Sequence, residues 1–152
     1  MLTKLSIDNA TAEAVIAAAS ERATAMGVPQ NIAVVDEAGH LVAFRRMDGA
    51  KFFSIEIAIT KAFAAAGTRK ATRDIGPATQ PGQPGFGAQA LVGGRFTTLP
   101  GGIPLEAGGA VVGAVGVSSG STAQDQEVAE AAAAYFSSRW GAGAPVADSQ
   151  KD

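Results

Sequence analysis

The chain has 152 residues, enough for one compact domain with its own core. It has no cysteine and a single histidine, which excludes a disulfide framework, a thiolate zinc or iron–sulfur site, a cysteine nucleophile and a multi-histidine metal site within one subunit. Net charge is −2 and only 17% of residues are charged, against about 25% in ordinary domains, so there is no basic footprint for nucleic acid and the deficit points to surface buried between subunits.

Met1-Leu2-Thr3-Lys4-Leu5-Ser6 lacks the apolar run of a signal peptide, and no stretch reaches the ~18 apolar residues of a membrane span. A soluble, cytoplasmic chain without a membrane partner is expected. Residues 7–27 read as a first helix, because Ala12, Val15, Ile16, Ala19, Ala23 and Met26 recur on one helical face. Ser6 or Asp8 offers an N-cap oxygen, and Gly27 followed by Pro29 stops the helix.

Two strands follow. Asn31–Asp36 is apolar and β-branched. His40–Arg46 alternates, with Val42, Phe44 and Arg46 on one face and Leu41, Ala43 and Arg45 on the other. The short Glu37-Ala38-Gly39 link makes them a hairpin. Residues 52–67 form a second helix that is apolar nearly all round, with Glu56 and Lys61 its only charges. Such a helix is covered on more than one side, by the sheet and by either a neighbouring subunit or a cavity.

Residues 68–94 read as irregular, with Thr72 capping a short turn and then Gly-Pro punctuation. A loop this long is a lid, a binding segment or disordered, and Phe86 among glycines suits a side chain folding over something apolar. Three strands follow, at Arg95–Leu99, Ile103–Ala107 and Ala110–Ser118, with a Gly108-Gly109 hairpin turn between the last two. Gly113 and Gly116 within the last strand imply close approach by another backbone or a helix. A final helix runs from about Thr122 to Arg139, capped by Ser121 or Thr122. Asp125 and Glu127 suit its positive end. The expected fold is α/β of the α+β kind: a single five-stranded antiparallel sheet flanked by helices, in the order α-β-β-α-loop-β-β-β-α. One domain spans residues 1–140, and residues 141–152 are a flexible tail.

Polar groups in apolar surroundings are the informative ones, because burying them unpaired is costly. Asp36 ends a buried strand, as a turn residue or as a carboxylate at a pocket mouth. Arg46 shares a face with Val42 and Phe44, so its guanidinium needs a carboxylate partner or a ligand anion. Lys61 is an inter-subunit ion-pair partner, a contact for a ligand carboxylate, or a base with a desolvated amine. Glu106 is the only acid of the last three strands, and Gly101-Gly102 brings backbone close to something, as a bulge or as N–H donors to a carboxylate. His40 is a hydrogen-bonded structural residue or the first candidate for a haem axial ligand, with Met47 second. Without a C-x-x-C-H segment, any haem is non-covalent. There is no P-loop, dinucleotide fingerprint or G-x-S-x-G elbow.

Four stretches taken together resemble the GlcG/HbpS family. They are Ala33-Val-Val-Asp36-Glu-Ala-Gly39-His40-Leu-Val-Ala-Phe-Arg-Arg46-Met-Asp-Gly-Ala50, the segment around Lys61-Ala62, Leu99-Pro-Gly101-Gly102-Ile-Pro104, and Val112-Gly113-Ala-Val-Gly116-Val-Ser with Gln124-Asp125-Gln-Glu127. The resemblance implies a profilin-like sheet flanked by helices and a large symmetric homo-oligomer, often an octamer. It also implies a catabolic-operon setting and, in some members, haem binding. Arg46–Ala50 and Lys61 match as signature positions; the haem ligand has no motif to carry across. The export signal of the secreted members has no counterpart here.

The reading that follows is an oligomeric small-ligand-binding protein with a pocket at a subunit interface. Its expected lining is Asp36, Arg46, Lys61, Gly101, Gly102 and Glu106, with residues 76–87 and Phe86 as cover and His40 as the haem ligand. The alternative is a cofactor-independent isomerase, hydratase or lyase acting on a small carboxylate or carbonyl compound. There Arg46 clamps the substrate and Lys61 or Asp36 moves the proton.

Overall fold

The computed structural model describes residues 1–142. Helix α1 (Asn9–Met26) is followed by strands β1 (Asn31–Asp36) and β2 (Leu41–Arg46), helix α2 (Ser54–Thr68) and a one-turn helix α3 (Thr72–Ile75). After short 3-10 turns at Gly76–Thr79, Ala88–Ala90 and Val92–Gly94 come strands β3 (Gly102–Ala107) and β4 (Ala110–Ser118) and helix α4 (Thr122–Trp140). The caps are local chemistry. The Asp8 carboxylate accepts from the Thr11 N–H and starts α1, and Gly27, at φ 69°, ends it in the left-handed region. Ser121 and Gln124 form a reciprocal capping box on α4.

Among the described residues the sheet has four strands, not five, in the order β2-β1-β4-β3, and every pair is antiparallel. The expected strand Arg95–Leu99 does not form, although Phe96, Thr97 and Thr98 favour extended pairing. Its chain is held by other ties. The Arg95 guanidinium lies 4.0 Å above the Phe63 ring. The Leu99 N–H donates to Thr97 Oγ1, and the Leu99 carbonyl accepts from Thr72 Oγ1 at 2.6 Å. Thr72 therefore does not cap a turn; its hydroxyl also accepts from the Gly102 N–H and pins the loop to the start of β3.

The two sheet faces are filled differently. On one, α1 and α4 pack over Ile32, Val34, Leu105, Val112, Val115 and Val117, an aliphatic core closed by Phe136. On the other, α2 lies on Ala33, Val35 and Ala114 through its own Ala58, Ala62, Ala65 and Ala66. That face is built from small residues so that backbone can approach backbone. Gly116 pairs with Ala33 on one side and Gly102 on the other. A Cβ on Gly116 would stand 2.0 Å from the Ala58 carbonyl oxygen, and one on Gly102 would stand 2.4 Å from that of Lys61. The glycines and alanines of this face thus serve close contact inside one chain.

Most of the expected tail, residues 143–152, lies outside the described residues. Among the described residues, no helix is long and apolar enough to cross a membrane.

Candidate functional site

Strand register sorts the candidate residues by place. At one end of the sheet Asn31 pairs with Arg46 and with Ser118, and Gly102 lies opposite Gly116. At the other end Asp36 lies opposite Gly113, and Glu106 opposite Val111. Arg46, Lys61, Gly101 and Gly102 therefore gather at the first end, and Asp36, His40 and Glu106 at the second. The single pocket expected from all of them is not formed within one chain.

Lys61 is the centre of the first group. It is only 1% exposed, deeper than any other charged side chain described. Its Nζ donates to Asp125 Oδ2 at 2.8 Å and to the Val117 carbonyl at 2.9 Å. Asp125 is almost as enclosed, and its second oxygen accepts from the Gly120 N–H at 2.9 Å. Burial pushes the Lys61 ammonium below the ordinary lysine value, and the hydrogen bond and charge of Asp125 act against that. The pair lies within one chain, not across an interface. It joins the middle of α2 to the first turn of α4, directly behind Gly101.

Gly101 has its own reason to be there. Its φ is +120°, and a Cβ would meet the Val117 carbonyl oxygen at 2.6 Å and Lys61 Nζ at 3.1 Å. Its N–H donates to Gln126 Oε1 at 3.0 Å, so the backbone donor is used by the fold. The hydrogen-bond partners of Lys61 and Gly101 that sequence reasoning missed are Asp125 and Gln126. A signal was present: Asp125 shares a helical stripe with Val128, Ala129 and Ala132, where a carboxylate facing the core needs a cation.

The Arg46–Ala50 segment is a turn. Arg46 Nε donates to the Ala50 carbonyl at 3.2 Å, and the Met47 N–H donates to the Gln30 carbonyl. The turn is latched to the sheet, because Asn31 Nδ2 donates to the Lys51 carbonyl and the Lys51 N–H donates to Ser119 Oγ. Arg46 itself is exposed. Asp48, two residues further on, makes no ion pair with it among the described residues.

At the second end, Asp36 Oδ1 accepts from the N–H groups of Ala38 and His40 at 2.9 Å and shapes the hairpin. Its other oxygen is 3.6 Å from His40 Nδ1, and the imidazole is 81% exposed. Gly39, at φ +85°, brings the turn against Phe63 of α2, the ring that Arg95 covers. Phe86 is exposed on its loop, and Glu106 is exposed on the edge strand β3.

A family described as haem-degrading protein HbpS-like matches residues 7–134. The chain is 38% identical over 128 residues to an uncharacterised 15.0 kDa protein of the dhaT-dhaS intergenic region of Citrobacter freundii, covering 84% of this chain and 90% of that one. It is 39% identical over 118 residues to the GlcG protein of Escherichia coli K12, covering 78% and 85%. Among solved structures, a PduOC:haem complex superimposes with a TM-score of 0.84 at 30% identity, over 92% of this chain and 100% of that one. With a family match across all four strands and most of α4, and a GlcG relative over most of its length, the chain belongs to the GlcG/HbpS family.

Proposed function

We propose that this protein binds haem non-covalently at the hairpin end of the sheet, with His40 as the axial ligand. The observation that carries the reading is the Asp36–His40 pair. An exposed imidazole whose Nδ1 faces a carboxylate is oriented in the way that metal-ligating histidines are, with Nε2 left for the metal. Two features nearby fit the rest of the group. Phe63 lies under the same turn, and Arg95, on its ring, offers a cation of the kind a propionate pairs with. The haem complex of the related PduOC domain supports the choice of ligand. Bound haem would supply an iron centre; the chain's own groups hold and orient it.

Titration with hemin is expected to give a Soret shift that His40→Ala abolishes. Asp36→Asn keeps the turn acceptor, because asparagine caps such turns equally well. It is expected to weaken hemin binding by about tenfold or more through the lost orientation of His40. Wild-type spectra in both variants would remove His40 from the site.

The proposed site lies at a subunit boundary of a homo-oligomer, with eight subunits the expected number. Phe52 and Phe53, adjacent before α2, are 74% and 76% exposed, and Phe86 and Leu91 are 67% and 60% exposed; exposed large apolar side chains of this kind suit contact with another chain. Light scattering after size exclusion is expected to give a mass several times that of one chain. Phe52→Asp with Phe53→Asp should reduce it. A monomeric wild type would refute the assembly. The enzymatic alternative needs Lys61 or Asp36 to move a proton beside the Arg46 clamp, and no observation favours it: Lys61 Nζ is spent on Asp125 and Val117, and Asp36 lies at the opposite end of the sheet from Arg46.

A further inference from the structure

A separate cavity of about 460 Å³ opens on the α2 side of the hairpin end, and His40 is not in its wall. The N-terminal arm forms one side of it, held to β4 by the Ile7 N–H donating to the Val112 carbonyl at 2.9 Å. The other walls come from the end of α2, the β1–β2 turn and the β3–β4 hairpin. Lys4, Arg69, Glu37 and Glu106 all line it. Among the described residues none of these four is in an ion pair.

Two details mark the cavity as more than a surface dent. Glu37 Oε2 is enclosed and accepts no hydrogen bond, and an acceptor in that position calls for a donor. Arg69 ends α2 at φ 58°, in the left-handed region where glycine is the unstrained choice. The strain places a guanidinium in the wall instead.

Two acids and two bases leave no net preference for an anion or a cation, but they suit a ligand carrying both charges. We propose that this cavity binds a small zwitterion, a free α-amino acid, with its ammonium on Glu37 and its carboxylate on Arg69 and Lys4. Leu5 and Val111 offer apolar contact to the ligand's side chain, and the volume is that of a small-molecule site. The proposal is independent of haem binding.

Isothermal titration of the full chain with L-leucine, L-alanine and glycine tests it, alongside 4-methylpentanoate and 3-methylbutylamine, which each keep one of leucine's charges. At least one amino acid is expected to bind, and each single-charge analogue to bind about tenfold more weakly than leucine or worse. Glu37→Gln should weaken amino-acid binding by about tenfold. Arg69→Gly should do the same while relieving backbone strain, so that loss of binding cannot be loss of fold. Three outcomes would overturn the proposal: no heat from any of the three amino acids at about 10 mM, 4-methylpentanoate binding as tightly as leucine, or Arg69→Gly binding as the wild type does.

Discussion

Lys61→Ala is expected to lower the unfolding free energy by roughly 3–5 kcal/mol, the cost of leaving one member of a buried ion pair without the other. Asp125 would remain enclosed, with the Gly120 N–H as its remaining hydrogen-bond donor. The Val117 carbonyl would lose its lysine contact, and the space left by the lysine stem would add a cavity term. A double variant separates these contributions. Lys61→Met with Asp125→Leu removes both charges and keeps most of the volume, and it should recover much of the loss, because well-packed apolar pairs often replace buried ion pairs at little cost. Urea unfolding of the wild type, Lys61→Met, Asp125→Leu and the double variant closes the cycle. Singles that each lose less than about 1 kcal/mol would mean that solvent reaches the pair.

The same residue sets a pH dependence. Its folded pKa lies below the unfolded lysine value of 10.5, chiefly through desolvation. Between the two values the unfolded chain binds more protons than the folded one, so stability rises with pH across that window. The cost of holding a buried ammonium is fully present below the folded value and fades as the group neutralises. The stability difference between wild type and Lys61→Met should therefore widen in favour of the wild type as pH climbs towards 10.5. A difference that narrows would reverse the sign of the shift.

Sequence periodicity located the helices and four of the strands well, because each has its own local signal. Asp8, Gly27 and Ser121 sit where capping chemistry puts them, and Gly108-Gly109 makes the hairpin that positive φ requires. Arg95–Leu99 went the other way. Its extended propensity is worth little beside the hydrogen bond from Thr72 and the Arg95–Phe63 contact, neither of which leaves a trace in local pattern. The site was less legible for a related reason. Lys61, Arg46 and Glu106 each stood out as a charge in apolar company, but which of them meet depends on strand register. Register puts Glu106 beside Val111 and Arg46 beside Asn31, at opposite ends. Asp125 looked like an ordinary first-turn carboxylate, and only the approach of α2 across the sheet turns it into the partner of Lys61.

Gly116→Ala is expected to destabilise the fold by about 3 kcal/mol or more, at the upper end for an added methyl group, because what it strikes is backbone. The new Cβ would lie 2.0 Å from the Ala58 carbonyl oxygen and 2.5 Å from the Ala62 nitrogen. Neither atom can swing aside as a side chain tip would. Relief requires α2 to lift from β4, and α2 carries Lys61, so the ion pair with Asp125 would be stretched in the same movement. Gly67→Ala is the matched control. It makes the same chemical change within α2, with nothing inside 4 Å of the new methyl group and no positive φ. There the lost freedom of the unfolded chain should dominate and stabilise the protein by about 0.5 kcal/mol. One substitution type with opposite signs at two glycines would tie the small residues of this face to backbone contact. If Gly116→Ala unfolds at the wild-type urea midpoint, α2 does not rest on the sheet through that glycine.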